Sequence, residues 1–80
     1  MEAINLCGKR LKIARIEKGM KQVEVSAALS VECKVELSQK SLSRIEVGKR
    51  SVTDIELVAL AKVLEVTIDW LVYGNKPTRH

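Results

Sequence analysis

Three of the four glycines in this 80-residue chain, Gly19, Gly48 and Gly74, each close a stretch of helical apolar spacing that opens on a short polar residue: Asn5, Ser38 and Thr67. A short polar side chain accepts from the first free amides of a helix, and glycine takes the left-handed conformation that stops one. The punctuation predicts helices over about Leu6 to Lys18, from Ser38 to Gly48, and over Ile68 to Tyr73. A further one is marked by Thr53-Asp-Ile-Glu56, a capping box in which Glu stands three residues after a capping Thr. It opens a helix running to about Glu65, with Ile55, Leu57, Val58, Leu60, Ala61 and Leu64 as apolar positions, enough to make it almost wholly buried. A second helix in chain order starts near Lys21 or Gln22, with Val25 and Leu29 inward. Its end carries no such mark, because residues 30–37 hold neither Gly nor Pro. The alternation of Val31, Cys33, Val35 and Leu37 there is strand-like but isolated, and predicts an extended connector pinned by Val35 and Leu37.

Five helices and no convincing strand make an all-α domain over residues 1–75, followed by a polar tail at 76–80. Eighty residues allow one modest core, and with Phe absent it is built from Leu, Ile, Val and Ala, which suits helix-on-helix packing. Cys7 and Cys33 are too few and too far apart for a zinc motif or a redox pair. No apolar run approaches the roughly 18 residues of a membrane span. The setting expected is a reducing cytoplasm, with Cys7 packed in a helix and Cys33 partly exposed.

The net charge of +4 is unevenly placed. Residues 1–21 are net +4 and residues 38–50 net +3, while 22–37 are net −2 and 51–75 net −3. One face toward a polyanion and another toward a partner or solvent fits this asymmetry. The sharpest signal lies in Ser38-Gln-Lys-Ser-Leu-Ser-Arg-Ile-Glu-Val-Gly-Lys-Arg50. At about 100° per residue, Leu42, Ile45 and small Ser41 share one side, and Gln39, Lys40, Ser43 and Arg44 the other. So short a helix must be docked through Leu42 and Ile45, which leaves an amide, an ammonium and a guanidinium on a rigid outer face. Those groups bond adenine, guanine and phosphate in a DNA major groove; the rival reading is a solvated face that happens to be basic. Catalysis has little to stand on: the only His is His80, and Glu24, Glu32 and Glu36 have no convergent partners. No metal or cofactor is expected.

Over about residues 4–74 the chain resembles the phage-repressor (Cro/cI-like, XRE) helix-turn-helix family. The resemblance is carried by Gly-Lys-Arg-Leu-Lys (8–12), Arg15-Ile-Glu-Lys-Gly-Met-Lys-Gln22, Leu-Ser-Arg-Ile-Glu-Val-Gly-Lys-Arg (42–50), Leu60-Ala-Lys-Val-Leu-Glu-Val66 and Asp69-Trp-Leu-Val-Tyr-Gly74. It implies a compact five-helix, lambda-repressor-like domain that binds double-stranded DNA, commonly as a dimeric repressor. It also implies roles: Gln39, Lys40, Ser43 and Arg44 read bases; Gln22, Lys21, Ser41, Lys49 and Arg50 contact the phosphate backbone. Arg15 and Glu46 match a pair that ties the first helix to the end of the recognition helix, a structural role for Arg15 ranked above its phosphate contact. The departures are a connector roughly six residues longer than in the shorter family members, Ser26 in place of the usual Ala, and Lys21 in place of a capping Thr or Ser.

Trp70, Leu71, Val72 and Tyr73 form the candidate partner surface. They serve either to close the core, leaving Val72 and Tyr73 outside, or as a homodimer seam, or as the exposed patch of an interaction module, such as an antitoxin that binds a toxin and its own promoter. The seam is favoured, because paired recognition helices about 34 Å apart read the two half-sites of a palindrome.

Overall fold

The computed structural model describes residues 2–75 and contains five α-helices, with no strand among those residues. They are α1 (Gly8–Glu17), α2 (Gln22–Ala28), α3 (Gln39–Glu46), α4 (Asp54–Leu64) and α5 (Ile68–Tyr73). The expected tail at 76–80 lies outside the described residues. Leu11, Val25, Leu29, Leu42, Ile45, Leu60 and Leu71 are fully enclosed, so every helix sends at least one aliphatic side chain, or its immediate continuation, to one common core. Helix α1 packs on α3, α4 and α5, and α2 packs on α3.

The caps fall where the sequence puts them. The Thr53 hydroxyl accepts from the Glu56 amide at 3.1 Å while the Glu56 carboxylate accepts from the Thr53 amide at 3.0 Å, and Thr67 caps α5 through the Trp70 amide at 3.0 Å. Gly19, Gly48 and Gly74 all stand at positive φ. Cys7 is buried and Cys33 half-buried, as expected, though Cys7 stands just before α1 and not within a helix. Burial pushes the Cys7 thiol above its ordinary range, which keeps it protonated and inert.

Two expectations are corrected. Helix α4 is not almost wholly buried: Ile55 and Val58 stand open to solvent, because the helix meets the core only along Leu57, Leu60, Ala61 and Leu64 with Ala59 and Val63. The stretch 30–37 is extended only at its end. Helix α2 continues into a π turn, Leu29–Cys33, in which the Lys34 amide donates to the Leu29 carbonyl before Lys34 turns left-handed at φ 54°. With neither Gly nor Pro to stop it, the helix widens instead of ending. The strand-like alternation misled because Val31 faces solvent while Cys33 and Val35 pack inward against the core. The Ser26 hydroxyl donates to the Leu37 carbonyl at 2.5 Å and ties the extended remainder to α2.

The start of α1 is seated on the end of α3 with no room to spare. Asn5 Oδ1 accepts from the Gly8 and Cys7 amides at 2.7 and 3.1 Å, and Asn5 Nδ2 donates to the Ile45 and Arg50 carbonyls at 3.0 and 2.8 Å. At Gly8 a methyl group would overlap the Ile45 carbonyl oxygen, a backbone atom that cannot yield. In an open helix, Gly→Ala gains about 1 kcal/mol. Gly8→Ala is instead expected to lose about 1–3 kcal/mol in urea unfolding, and a gain would contradict this seating.

Candidate nucleic-acid interface

Helix α3 is presented as its sequence requires. Ser38 caps it, its hydroxyl accepting from the Ser41 amide at 3.1 Å. Leu42 and Ile45 are sealed in the core, while Gln39, Lys40 and Arg44 are exposed and Ser43 is half-buried between them. Positions 39 and 43, and 40 and 44, are each one turn apart, so these four side chains share one outward face. Lys40 and Arg44 enter no ion pair among the described residues. Lys21 and Lys49 are exposed as well.

The geometry goes beyond a list of exposed cations. The Glu46 carboxylate, buried at the end of α3, accepts from Arg15 Nε at 2.6 Å, from Arg15 Nη2 at 3.0 Å and from Gln22 Nε2 at 3.0 Å. Gln22 Oε1 in turn accepts from Gln39 Nε2 at 2.7 Å. One continuous chain of hydrogen bonds therefore runs from α1 through α3 and the start of α2 to the first residue of the reading helix. Arg15, Lys21, Gln22, Val23 and Gln39 together line a shallow open cleft of about 480 Å3. A second N–H and the whole carbonyl oxygen of Gln39 are left outside the chain, which is the donor–acceptor pair an adenine edge accepts.

Not every expected contact belongs to this group. Arg15 forms a bidentate pair with Glu46 and also donates to the Met20 carbonyl at 3.0 Å, with its side chain only 13% exposed. That is the structural role, and it leaves little of the guanidinium for a phosphate. Arg50 is turned the other way, onto Glu56 at 2.9 and 3.1 Å, where it fastens the capping box of α4. Ser41 is half-buried and receives the Ser38 hydroxyl at 3.1 Å. In the expected partner seam, Leu71 is fully enclosed in the core and has no surface to offer; Trp70 packs against the same core, and Tyr73 alone of the four is largely exposed.

Two contributors escaped the sequence reading. Asn5 was legible as a cap, but its reach to Ile45 and Arg50, 40 and 45 residues on, was not. Arg10, which the sequence marks only as one cation of a basic segment, donates to the Leu71 and Val72 carbonyls at 3.3 and 3.2 Å and closes the free end of α5.

Glu46→Ala removes the acceptor of three N–H groups and strands Arg15. Breaking a buried ion pair costs about 3–5 kcal/mol; with Arg15 slightly exposed, a loss near 3 kcal/mol is expected in urea unfolding, and unaltered stability would show the pair is not formed. The Arg50 hydrogen bonds hold the Glu56 carboxyl below the ordinary carboxylate range, against the upward push of its burial. A lowered pKa contributes stability above the unfolded value and loses it as pH falls through the folded one. The stability gap between wild type and Glu56→Gln is therefore expected to be full at neutral pH and to shrink below about pH 4; a gap that does not change with pH would contradict the pair.

The model of a helix-turn-helix family matches residues 11–71. The fold is similar to that of the P22 c2 repressor protein, solved in complex with synthetic operator 9T in the presence of Tl+, with a TM-score of 0.69 and 27% identity over 89% of this chain and 98% of that one. No curated protein sequence matches the chain.

Proposed function

The chain belongs to the helix-turn-helix family, and from that premise we propose that this sequence-specific DNA-binding transcriptional regulator acts as a homodimeric repressor on a palindromic operator. The observation that carries the reading is the anchored Gln39. Its amide is oriented by Gln22, which is oriented by buried Glu46, so the base-reading group is fixed before DNA arrives. Gln39 bonds the N6 and N7 edge of an adenine, and Lys40 and Arg44, one turn apart, offer cationic donors to guanine O6 and N7. Ser43 lies between them within reach of either neighbour's base.

Backbone contact falls to Lys21, Lys49 and the remaining amide hydrogen of Gln22, with Ser41 at the base of the reading face. These grip phosphates and set the position of α3 without reading sequence. Arg15 and Arg50, each held by a carboxylate, serve the geometry instead. The similar P22 c2 repressor, bound to an operator, supports this assignment of partner. Two copies double both contact area and the sequence read.

Two variants separate base reading from phosphate grip. Gln39→Ala is expected to relax sequence preference at one base position by about 1–3 kcal/mol. Lys49→Ala is expected to weaken all duplexes alike and to lower the salt slope by about one unit. Competition binding on duplexes varied one base pair at a time, repeated over a salt series, reads both. Unchanged preference in Gln39→Ala, or a sequence-selective loss in Lys49→Ala, would overturn the respective role.

A further inference from the structure

A second surface is built by the π turn and α4, which pack directly on one another. Glu32, Cys33 and Val35 on one side and Asp54, Ile55, Val58, Ala59 and Lys62 on the other enclose an open groove of about 530 Å3. Ile55 is 69% and Val58 55% exposed, and Val31 on the adjoining turn 79%. Ile55 and Val58 stand one turn apart on α4 and both line the groove, so they form one open aliphatic patch. We infer that this groove is where a second copy of this chain docks, an inference that rests on the homodimeric reading above and replaces the seam expected on α5.

Charge selects the occupant. The groove is bordered by two acids, Glu32 and Asp54, and by Lys62, with Lys34 at the end of the same turn, so its rim is close to neutral in a chain of net +4. In a two-fold contact residue i of one copy meets j of the other and j meets i. A lysine of each rim then faces an acid of its partner twice over, while Ile55 and Val58 close on their counterparts. The reading face offers no such match: Lys21, Lys40, Arg44 and Lys49 carry one sign and repel their own copies. None of Gln22, Gln39, Lys40, Ser43 or Arg44 lines the groove, so a docked copy leaves the DNA-reading side chains open. On helix α5 Leu71 is enclosed and Trp70 and Val72 are half-buried, which leaves Tyr73 and Ile68 as the large apolar side chains open there.

The test is sedimentation velocity on the full wild-type chain and on Ile55→Glu, Val58→Glu and Lys62→Glu, with circular dichroism confirming the fold of each. All three positions are exposed, so the fold is expected to survive. Wild type is expected to self-associate, and each apolar-to-Glu variant to weaken that at least about tenfold. Lys62→Glu is expected to weaken it less, with an effect that fades at high salt. A wild-type chain that stays monomeric both free and on DNA overturns the inference; so does a dimer that Ile55→Glu and Val58→Glu leave intact, which would place the seam elsewhere. Band shifts with the same samples keep the two readings apart. A groove-dependent dimer with no DNA preference would sink the operator reading and leave the docking surface standing.

Discussion

The carboxylate of Glu46 is the constraint around which the molecule is arranged. It is the one buried charged side chain among the described residues, and three N–H groups from two other helices converge on it. A buried charge is tolerated only when paired and hydrogen-bonded, and the observed packing of α1, α2 and α3 meets that demand by bringing Arg15 and Gln22 onto Glu46. Aliphatic contacts between Leu11, Val25, Leu42 and Ile45 supply most of the attraction but little direction, since such contacts scale with area. Glu46 and Arg15 supply the direction. The same carboxylate, by holding Gln22, orients Gln39, so fold and reading surface share a single anchor.

A second joint lies at the same end of α3. Asn5 and Gly8 let the first turn of α1 touch the backbone at the end of α3, and Arg50, whose carbonyl Asn5 holds, fastens α4 through Glu56. The recognition helix is thus held at its C-terminal end by α1 and at its start by Ser38 and the Gln22 contact. The connector between α2 and α3 does not loosen this arrangement. Part of it forms the π turn, and Ser26 and Ser30 return the chain through the Leu37 carbonyl and the Glu36 carboxylate. The turn adds a surface beside α4.

What the sequence revealed follows from the range over which each signal acts. Caps and glycine stops are local, so Thr53, Thr67, Ser38, Gly19 and Gly74 located the helix ends well. The outer face of α3 was readable because a docked amphipathic helix has only one way to turn. Residues 30–37 were misread because a widened helical turn has no sequence mark, and its apolar residues happened to alternate. Ile55 and Val58 were placed inside because apolar character was equated with burial; only the structure shows which side of α4 meets the core. The reach of Asn5 and Arg10 across the fold depends on chain segments 40 or more residues away, and no local pattern carries it.

The central claim is that a pre-oriented α3 reads DNA sequence rather than merely gripping phosphate. Selection of bound duplexes from a random pool by the wild-type chain, at near-physiological salt, tests it most directly. The account requires recovery of a two-fold palindrome with an adenine among its defined positions and half-site centres about one helical turn apart. Recovery of no motif, with binding abolished by a modest rise in salt, would contradict it.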